Sequence, residues 1–117
     1  MSEVCDISVI VPCYNANRYL NVCLESLKAQ RVPNIEMIFI DDGSTDSTGA
    51  ILDAFARTES RAKVVHVRNE GVSAARNRGI SMAVGRYIAF MDADDVLEEN
   101  SLSILYQAAM KSGAQIT

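Results

Sequence analysis

Residues 35–47 read "IEMIFIDDGSTDS", a mainly apolar run that passes directly into a polar cluster with two adjacent carboxylates. A run that is apolar in succession, rather than in alternation, is typical of a strand buried on both faces of a parallel sheet. Similar runs are "ISVIV" from Ile7, "KVVHV" from Lys63 and "YIAFM" from Tyr87, and another begins in "AQIT" at residues 114–117. The sequence therefore predicts five short strands of one mostly parallel sheet.

Apolar residues at intervals of three and four lie between these runs and predict helices. They are Leu20, Cys23, Leu24 and Leu27, then Ile51, Leu52 and Phe55, and finally Leu102, Leu105, Tyr106 and Ala109. A weaker helix is predicted in "SAARNRGISMA", with small residues on its inner face. Strand and helix alternate throughout, so we predict a single α/β domain over residues 1–117, with right-handed crossovers.

Composition narrows the range of partners and locations. The chain has 117 residues, enough for one domain, and its net charge of -4 without a dense Lys/Arg run argues against a nucleic-acid partner. Cys5, Cys13 and Cys23 form no C-x-x-C pair, so reduced thiols are expected rather than a disulfide framework or a zinc ribbon. The sequence shows neither a signal peptide nor a membrane span, and it predicts a soluble, cytoplasmic protein.

Each predicted strand runs into a polar cluster at its carboxyl end. These clusters read "PCYNAN", "DDGSTDS", "RNEGVSAARN" and "DADD" in chain order. In an open α/β sheet, ligands bind outside the carboxyl ends of the strands, near the point where the strand order reverses. The four clusters are therefore predicted to converge on one edge of the sheet.

The fourth cluster places three carboxylates, on Asp92, Asp94 and Asp95, against the end of an apolar run. Repulsion between unit charges a few ångströms apart costs on the order of 1 kcal/mol in water and several times more near a protein interior. Mg²⁺ or Mn²⁺ would offset this repulsion, because both prefer carboxylate oxygens and substrate phosphates. We expect a turn where "DADD" leaves the strand, with one carboxylate binding a ribose hydroxyl and its neighbour the cation. The alternative is an acidic helix entry that interacts only with the helix dipole.

The other clusters also contain candidate ligand groups. Asp42, followed by Gly43 in a tight turn, can present its carboxylate to the N–H edge of a base or to a hydroxyl, while residues 44–47 are predicted to cap the next helix. Arg76 and Arg78, near a helix that begins at Ser73, can neutralise a diphosphate. His66 lies within an apolar strand and is interpreted as a hydrogen-bonded strand histidine rather than a catalytic base.

Four segments in this order resemble the nucleotide-binding half of the family 2 glycosyltransferases. They are "ISVIVPCYNANRYLNVCLESLKAQ", "IDDGSTDST", "NEGVSAARNRGI" and "YIAFMDADD", and the resemblance extends from Ile7 to the end of the chain. It implies the GT-A fold, a Rossmann-like three-layer α/β/α arrangement that stops here before the acceptor-binding half. It also implies a nucleotide-sugar donor, usually a UDP-sugar, a divalent metal, transfer with inversion, and a role in polysaccharide biosynthesis.

The resemblance assigns candidate roles to individual residues. Pro12, Tyr14 and Asn15 are expected beside the base and ribose. Asp42 is expected to bind the base, with Asp41 as the alternative, and the residues expected near the donor are Gly71, Arg76 and Asn77. The D-x-D element is Asp92-Ala93-Asp94, followed by Asp95. Asp94 is the favoured metal ligand and Asp95 the second choice, with Asp92 a further candidate.

In this family the general base comes from a later segment, which places it beyond Thr117. The chain is therefore expected to bind donor without efficient transfer to its acceptor, an unknown glycan, lipid-linked or other molecule. A full-length protein is expected at the inner membrane face, and an exposed sheet edge is expected to favour self-association. Two alternatives remain. One is a non-catalytic nucleotide-binding module. The other is a receiver-like phosphoacceptor domain, against which the carboxylate-free "HVRN" ending of the third strand argues.

Overall fold

The computed structural model describes residues 5–30 and 34–112. Strands and helices alternate along them, as the apolar patterns predicted. The strands are β1 (Ile7–Cys13), β2 (Ile35–Asp42), β3 (Ala62–Val67) and β4 (Tyr87–Phe90), and the helices are α1 (Leu20–Lys28), α2 (Thr48–Thr58), α3 (Val72–Met82) and α4 (Ser101–Ser112). The predicted fifth strand, in residues 114–117, lies outside the described residues.

The four strands form one parallel sheet in the order β3-β2-β1-β4. The chain moves outward from β1 to β3 and then returns to the opposite side of β1 to form β4. The strand order therefore reverses between β1 and β4, which is where the loops at the carboxyl edge diverge and leave a crevice. Because all strands are parallel, the loops that follow β1, β2, β3 and β4 lie on the same edge, as predicted.

Both faces of the sheet are covered, which gives three layers. Alternate residues of β1 point to opposite faces, so Val9 and Val11 pack with α1, α2 and α4, whereas Ile10 packs with α3. The inner face of α3 is formed by Ala75 and Gly79, in agreement with the predicted small residues. A Cβ at Gly79 would overlap the side chain of Ile10, so glycine allows α3 to approach the sheet.

A buried polar network explains the glutamate inside the apolar run of β2. Glu36 is 5% exposed and accepts hydrogen bonds from Ser8 Oγ (2.5 Å), Lys63 Nζ (2.7 Å) and Val84 N–H (2.7 Å). Ser8 Oγ in turn accepts the N–H of Gly85 (2.8 Å). A single carboxylate thus joins β1, β2 and β3 to the connection between α3 and β4.

Glu36 makes the stability of the fold dependent on pH. Burial alone would raise its pKa, but hydrogen bonds from Lys63, Ser8 and Val84 outweigh burial and leave the pKa below the usual value. A carboxyl with a lowered pKa in the folded state stabilises the fold above its unfolded pKa, and this contribution is lost as pH falls through the folded pKa. We predict that Glu36→Gln lowers the free energy of unfolding at neutral pH by about 1–3 kcal/mol.

Urea unfolding measures the difference in free energy of unfolding between the wild type and Glu36→Gln. It is carried out near pH 7 and at several values below about pH 4.3, the usual glutamate pKa. This difference in the free energy of unfolding should decrease as pH falls. Glu25→Gln, a change at an exposed carboxylate of α1, is the control and should stay within about 0.5 kcal/mol of the wild type. A Glu36→Gln effect that is constant over the whole range contradicts the assignment.

Candidate functional site

The loops after β1 and β2 are joined by the side chain of Asn15. Its Oδ1 accepts the backbone N–H groups of Thr45 (2.8 Å) and Asp46 (3.4 Å), and its own N–H donates to Ser44 Oγ (3.0 Å). Asn15 has φ 47°, in the left-handed region that asparagine tolerates better than most residues. The two loops therefore form one unit beside the end of β1.

The loops after β2 and β3 are joined by Asp42, which is 4% exposed. Its Oδ1 accepts the N–H of Glu70 (2.9 Å) and its Oδ2 that of Gly71 (3.1 Å), while Asn69 Nδ2 donates to its backbone carbonyl (3.1 Å). Gly43 follows with φ 72°, and a Cβ there would lie 2.6 Å from the backbone nitrogen of Asn69. A glycine is thus required both by the backbone conformation and by the close approach of the next loop.

A cleft of about 230 Å³ opens between these loops. It is lined by Pro12, Cys13, Tyr14, Asp42, Asn69, Gly71 and Val72. Tyr14 is 52% exposed, so its ring is available to a planar ligand, and Asp42 places a carboxylate in the lining. The cleft therefore combines an exposed aromatic ring with a buried hydrogen-bond acceptor.

The segment after β4 turns sharply, as predicted for "DADD". The N–H of Asp95 donates to the carbonyl of Asp92 (3.0 Å), and the N–H of Asp92 donates to Asp95 Oδ2 (3.0 Å). Ala93 is 8% exposed and packs in the core, which anchors the turn. The exposed carboxylates of Asp92, Asp94 and Asp95 offer oxygen atoms that all lie within 4.8 Å of one another. We call residues 92–95 the acidic turn.

Helix α3 connects the cleft with the acidic turn. Gly71, its N-cap, and Val72, its first residue, line the cleft, whereas Arg76 extends toward the turn with Nη2 3.6 Å from Asp92 Oδ1. The Arg76 guanidinium carbon lies 5.9 Å from the ring centroid of Phe90. Its Nε is buried and has no hydrogen-bond partner among the described residues. An arginine with an unused donor therefore stands beside the three carboxylates.

The acidic turn fits a hard divalent cation. It presents carboxylate oxygens, the ligands that Mg²⁺ and Mn²⁺ prefer, and all three carboxylates are exposed to solvent. The carboxylate of Asp94 is exposed and takes no part in the two hydrogen bonds that hold the turn, so it is available to a metal. Asp95 already holds the turn through its bond with Asp92 N–H.

His66 and Asp41 form a separate group beneath the loop after β2. Asp41 Oδ2 lies 2.7 Å from His66 Nδ1, and Asp41 Oδ1 accepts the N–H of Ser44 (3.1 Å). His66 Nε2 lies 2.8 Å from Oδ1 of Asp53, on α2. The interpretation of His66 as a hydrogen-bonded strand histidine is confirmed. Asp41, proposed as an alternative contact of the base, has its carboxylate directed to this group.

Ser47 is the N-cap residue of α2, but among the predicted capping side chains only that of Asp46 accepts a backbone N–H of the helix. Its Oδ1 accepts the N–H of Thr48 (2.9 Å). The hydroxyls of Ser44 and Ser47 make no capping bond, contrary to the prediction, and instead accept hydrogen bonds from Asn15 N–H and Asn17 Nδ2. The hydroxyls are used to join the loops after β1 and β2 rather than to end the helix.

The structure gathers the predicted site residues into two places. Pro12, Tyr14, Asp42 and Gly71 line the cleft, while Arg76, Asp92, Asp94 and Asp95, with Ala93 beneath them, form the region of the acidic turn. Asn15 and Asp41 are engaged in loop contacts, and Asn77 is exposed on α3 without lining the cleft. Asn69 and Val72 were not predicted individually. The signal for Asn69 was Gly43, since a glycine after "DD" permits another loop to come close.

Comparison with known proteins identifies the family of the chain. A family model described as Glycosyl transferase family 2 matches residues 8–117. The chain belongs to glycosyltransferase family 2. It is 46% identical over 117 residues to the glycosyltransferase GlyG of Streptococcus pneumoniae serotype 4, covering 99% of this chain and 38% of GlyG. It is 40% identical over 110 residues to the glycosyltransferase GlyA of the same organism, covering 94% of this chain and 16% of GlyA. The chain thus spans well under half of these relatives.

Solved structures of other glycosyltransferases share the fold. S. aureus TarS 1-349 in complex with UDP-GlcNAc matches with a TM-score of 0.84 and 32% identity, covering 91% of this chain and 31% of that one. The mannosyltransferase PcManGT from Pyrobaculum calidifontis, in complex with GDP-Man and Mn²⁺, matches with a TM-score of 0.79 and 25% identity, covering 92% and 32%. This family 2 chain therefore has the predicted GT-A type of fold. None of its helices, within the described ranges, is long and apolar enough to span a membrane.

Gly43 tests how the cleft is built. We predict that Gly43→Ala destabilises the fold by about 1–3 kcal/mol, because it places a side chain in left-handed backbone. A second cause is the close contact that a Cβ would make with the Asn69 backbone. Gly43→Asn separates this contact from the backbone conformation, since asparagine tolerates the left-handed region but still has a Cβ. If the contact with the Asn69 backbone matters as well, Gly43→Asn is also destabilised in thermal unfolding. A Gly43→Asn chain as stable as the wild type contradicts the steric part of this account.

Proposed function

We propose that this chain is the nucleotide-sugar-binding domain of a metal-dependent, inverting family 2 glycosyltransferase, with a UDP-sugar as donor. The observation that carries the proposal is the placement of the cleft and the acidic turn on one sheet edge, with α3 reaching both. TarS with UDP-GlcNAc and PcManGT with GDP-Man and Mn²⁺ support it, because both are similar to this chain and bind such donors.

In this proposal the cleft binds the base and ribose. The ring of Tyr14 contacts the flat base, and the carboxylate of Asp42 accepts an N–H from its edge. Asp42 already accepts two backbone N–H groups, but each carboxylate oxygen has a second lone pair and can accept another hydrogen bond. Pro12 and Gly71 complete the walls. Asn15 and Asp41 contribute indirectly, because they hold the loops that form the cleft.

The diphosphate and the metal occupy the region of the acidic turn. We propose Asp94 as the main metal ligand, with Asp95 and Asp92 beside it, and Mg²⁺ or Mn²⁺ as the cation. The bound cation would neutralise the diphosphate and stabilise the departing nucleotide. Arg76 contributes a second positive charge, and the exposed part of its guanidinium, which approaches Asp92 through Nη2, offers donors for a phosphate oxygen. Asn77 is exposed on α3 and would contact the donor only from that side of the helix.

The acceptor half of the reaction is proposed to lie outside this segment. The matched part is 38% of GlyG and 31% of the TarS chain, so most of each of those proteins is unmatched. We propose that a later segment supplies the general base and the acceptor site, and that residues 1–117 alone bind donor without efficient transfer. Acting alone, the chain would be a nucleotide-binding module. The free state of Cys5, Cys13 and Cys23 agrees with a cytoplasmic location, which we extend to the inner membrane face for a full-length protein.

Calorimetry tests the donor and metal assignments together. We expect UDP to bind more tightly with Mn²⁺ than without it, and more tightly than UMP or GDP under the same conditions. Asp94→Asn should weaken UDP binding in the presence of Mn²⁺ by about tenfold or more and leave metal-free binding unchanged. Glu98→Gln, at an exposed carboxylate outside the acidic turn, is the matched control. Equal effects of the two substitutions contradict the metal site.

The free edge of β4 generates a second prediction. Among the described residues β4 pairs only with β1, and an edge strand that no neighbour covers can pair with another chain. We propose that residues 1–117 self-associate through this edge, and we expect their average mass in light scattering to rise with protein concentration. A monomer that persists at high concentration contradicts this proposal.

A further inference from the structure

The ring of His66 is held between two carboxylates. It faces Asp41 of β2 through Nδ1 (2.7 Å) and Asp53 of α2 through Nε2 (2.8 Å). Ionised carboxylates only accept hydrogen bonds, and a neutral imidazole has only one N–H. Both contacts are therefore hydrogen bonds only when the ring is an imidazolium. The bonds to Asp41 and then to Asp53 raise the pKa of His66 above its usual value, against a smaller opposite effect of partial burial.

One connection leads from His66 to the cleft through Asp41. The Asp41 side chain is 8% exposed, and its second oxygen accepts the N–H of Ser44 (3.1 Å). Ser44 Oγ accepts the N–H of Asn15 (3.0 Å), the residue that follows Tyr14. A chain of hydrogen bonds thus leads from His66 to the residue next to Tyr14.

A second connection runs through α2. Asp53 ties this helix to His66, and Thr48, the first residue of the helix, is fully buried and accepts the N–H of Ala16 at Oγ1 (2.8 Å). Gly49 lets the helix come close, because a Cβ there would lie 2.8 Å from Asp41 Oδ2 and 3.3 Å from His66 Cε1. Both connections thus end at Asn15 and Ala16, the two residues that follow Tyr14 of the cleft lining.

We propose that His66 is a positioning residue for the nucleotide, and that the affinity of the cleft depends on whether its ring is protonated. This inference rests on the proposed function. A neutral ring can donate to only one carboxylate, and the buried Asp41 has the greater need of a donor. The Nε2 lone pair would then face the carboxylate of Asp53, the hydrogen bond from His66 to α2 would be lost, and the start of this helix, which holds Ala16 through Thr48, would be less firmly placed. Affinity is therefore high while the proton is bound and falls as pH rises through the pKa of His66.

Binding of UDP-GlcNAc, the nucleotide sugar found in TarS, measures the effect. Its diphosphate is esterified at both ends, so its charge stays constant from about pH 5.5 to about pH 8.5, the range in which histidine titrates. With Mg²⁺ present, we expect wild-type affinity to fall roughly fivefold across this range, at the lower end of typical coupling between sites. His66→Gln should show no such fall. The N-terminal amine also titrates here, but both chains contain it.

Asp53→Asn provides a second variant, since an amide no longer favours the protonated ring. Its affinity should fall at lower pH than that of the wild type. Glu25→Gln, the same chemical change at an exposed carboxylate of α1, should leave the profile unchanged. Circular dichroism at each pH ensures that only folded protein is compared, because the raised pKa of His66 also means that its contribution to stability is lost as pH rises through that pKa.

The wild-type chain alone offers an independent measurement. His66 is its single histidine, so one imidazole signal in proton NMR reports the titration without assignment. If protonation and binding are coupled, UDP-GlcNAc with diamagnetic Mg²⁺ must shift the titration midpoint upward by the same coupling. An unshifted midpoint, or equal pH profiles for the wild type and His66→Gln, overturns the role of His66 and leaves the proposed function standing. Absence of wild-type binding at every pH overturns both.

Discussion

The carboxyl edge of this sheet is held together by side-chain oxygens that accept backbone N–H groups from neighbouring loops. Asn15 holds the loop after β2, Asp42 holds the loop after β3, and Asp95 closes the acidic turn. Loops expose backbone donors that no strand or helix satisfies, and a partly buried donor without an acceptor costs about 1–3 kcal/mol. Without these acceptors the four loops would have separate conformations, and no cleft of fixed shape would exist.

The same constraint explains why the site is rich in carboxylates even before a ligand is considered. Asp41 and Asp42 are nearly buried and accept backbone N–H groups of the loops, so both carboxylates have a structural role. Asp92, Asp94 and Asp95 are exposed, where mutual repulsion is screened by water and costs only on the order of 1 kcal/mol. The turn is thus preformed by its hydrogen bonds and by the buried Ala93, and a cation need only bind to it. Charge crowding in the sequence singles out the acidic turn, but it does not predict the contacts of Asp41 or Asp42.

This difference shows what could be predicted from the sequence. The apolar runs identified each described strand, and parallel pairing then required that the polar clusters share an edge. Asp41 and Asp42 make different contacts because of the pleat, since neighbouring residues of a strand point to opposite faces. Asp41 turns to the layer of α1 and α2, whereas Asp42 turns to the loop that begins α3. The partnership of Asp41 with His66 needed the register of β2 against β3, which no pattern within a single strand contains.

The spacing of the site follows from how α3 lies on the sheet. Its N-terminal end belongs to the cleft and Arg76 belongs to the acidic turn, so the separation between the two regions is set by a little over one turn of rigid helix. The small faces of Ala75 and Gly79 let that helix rest directly on Ile10 of β1, the strand next to the reversal in strand order. A larger side chain at either position would lift α3 from the sheet and move Arg76 away from Asp92. The weak amphipathic pattern of this helix is therefore a consequence of close packing. The same close packing keeps the cleft and the acidic turn at a fixed distance from each other.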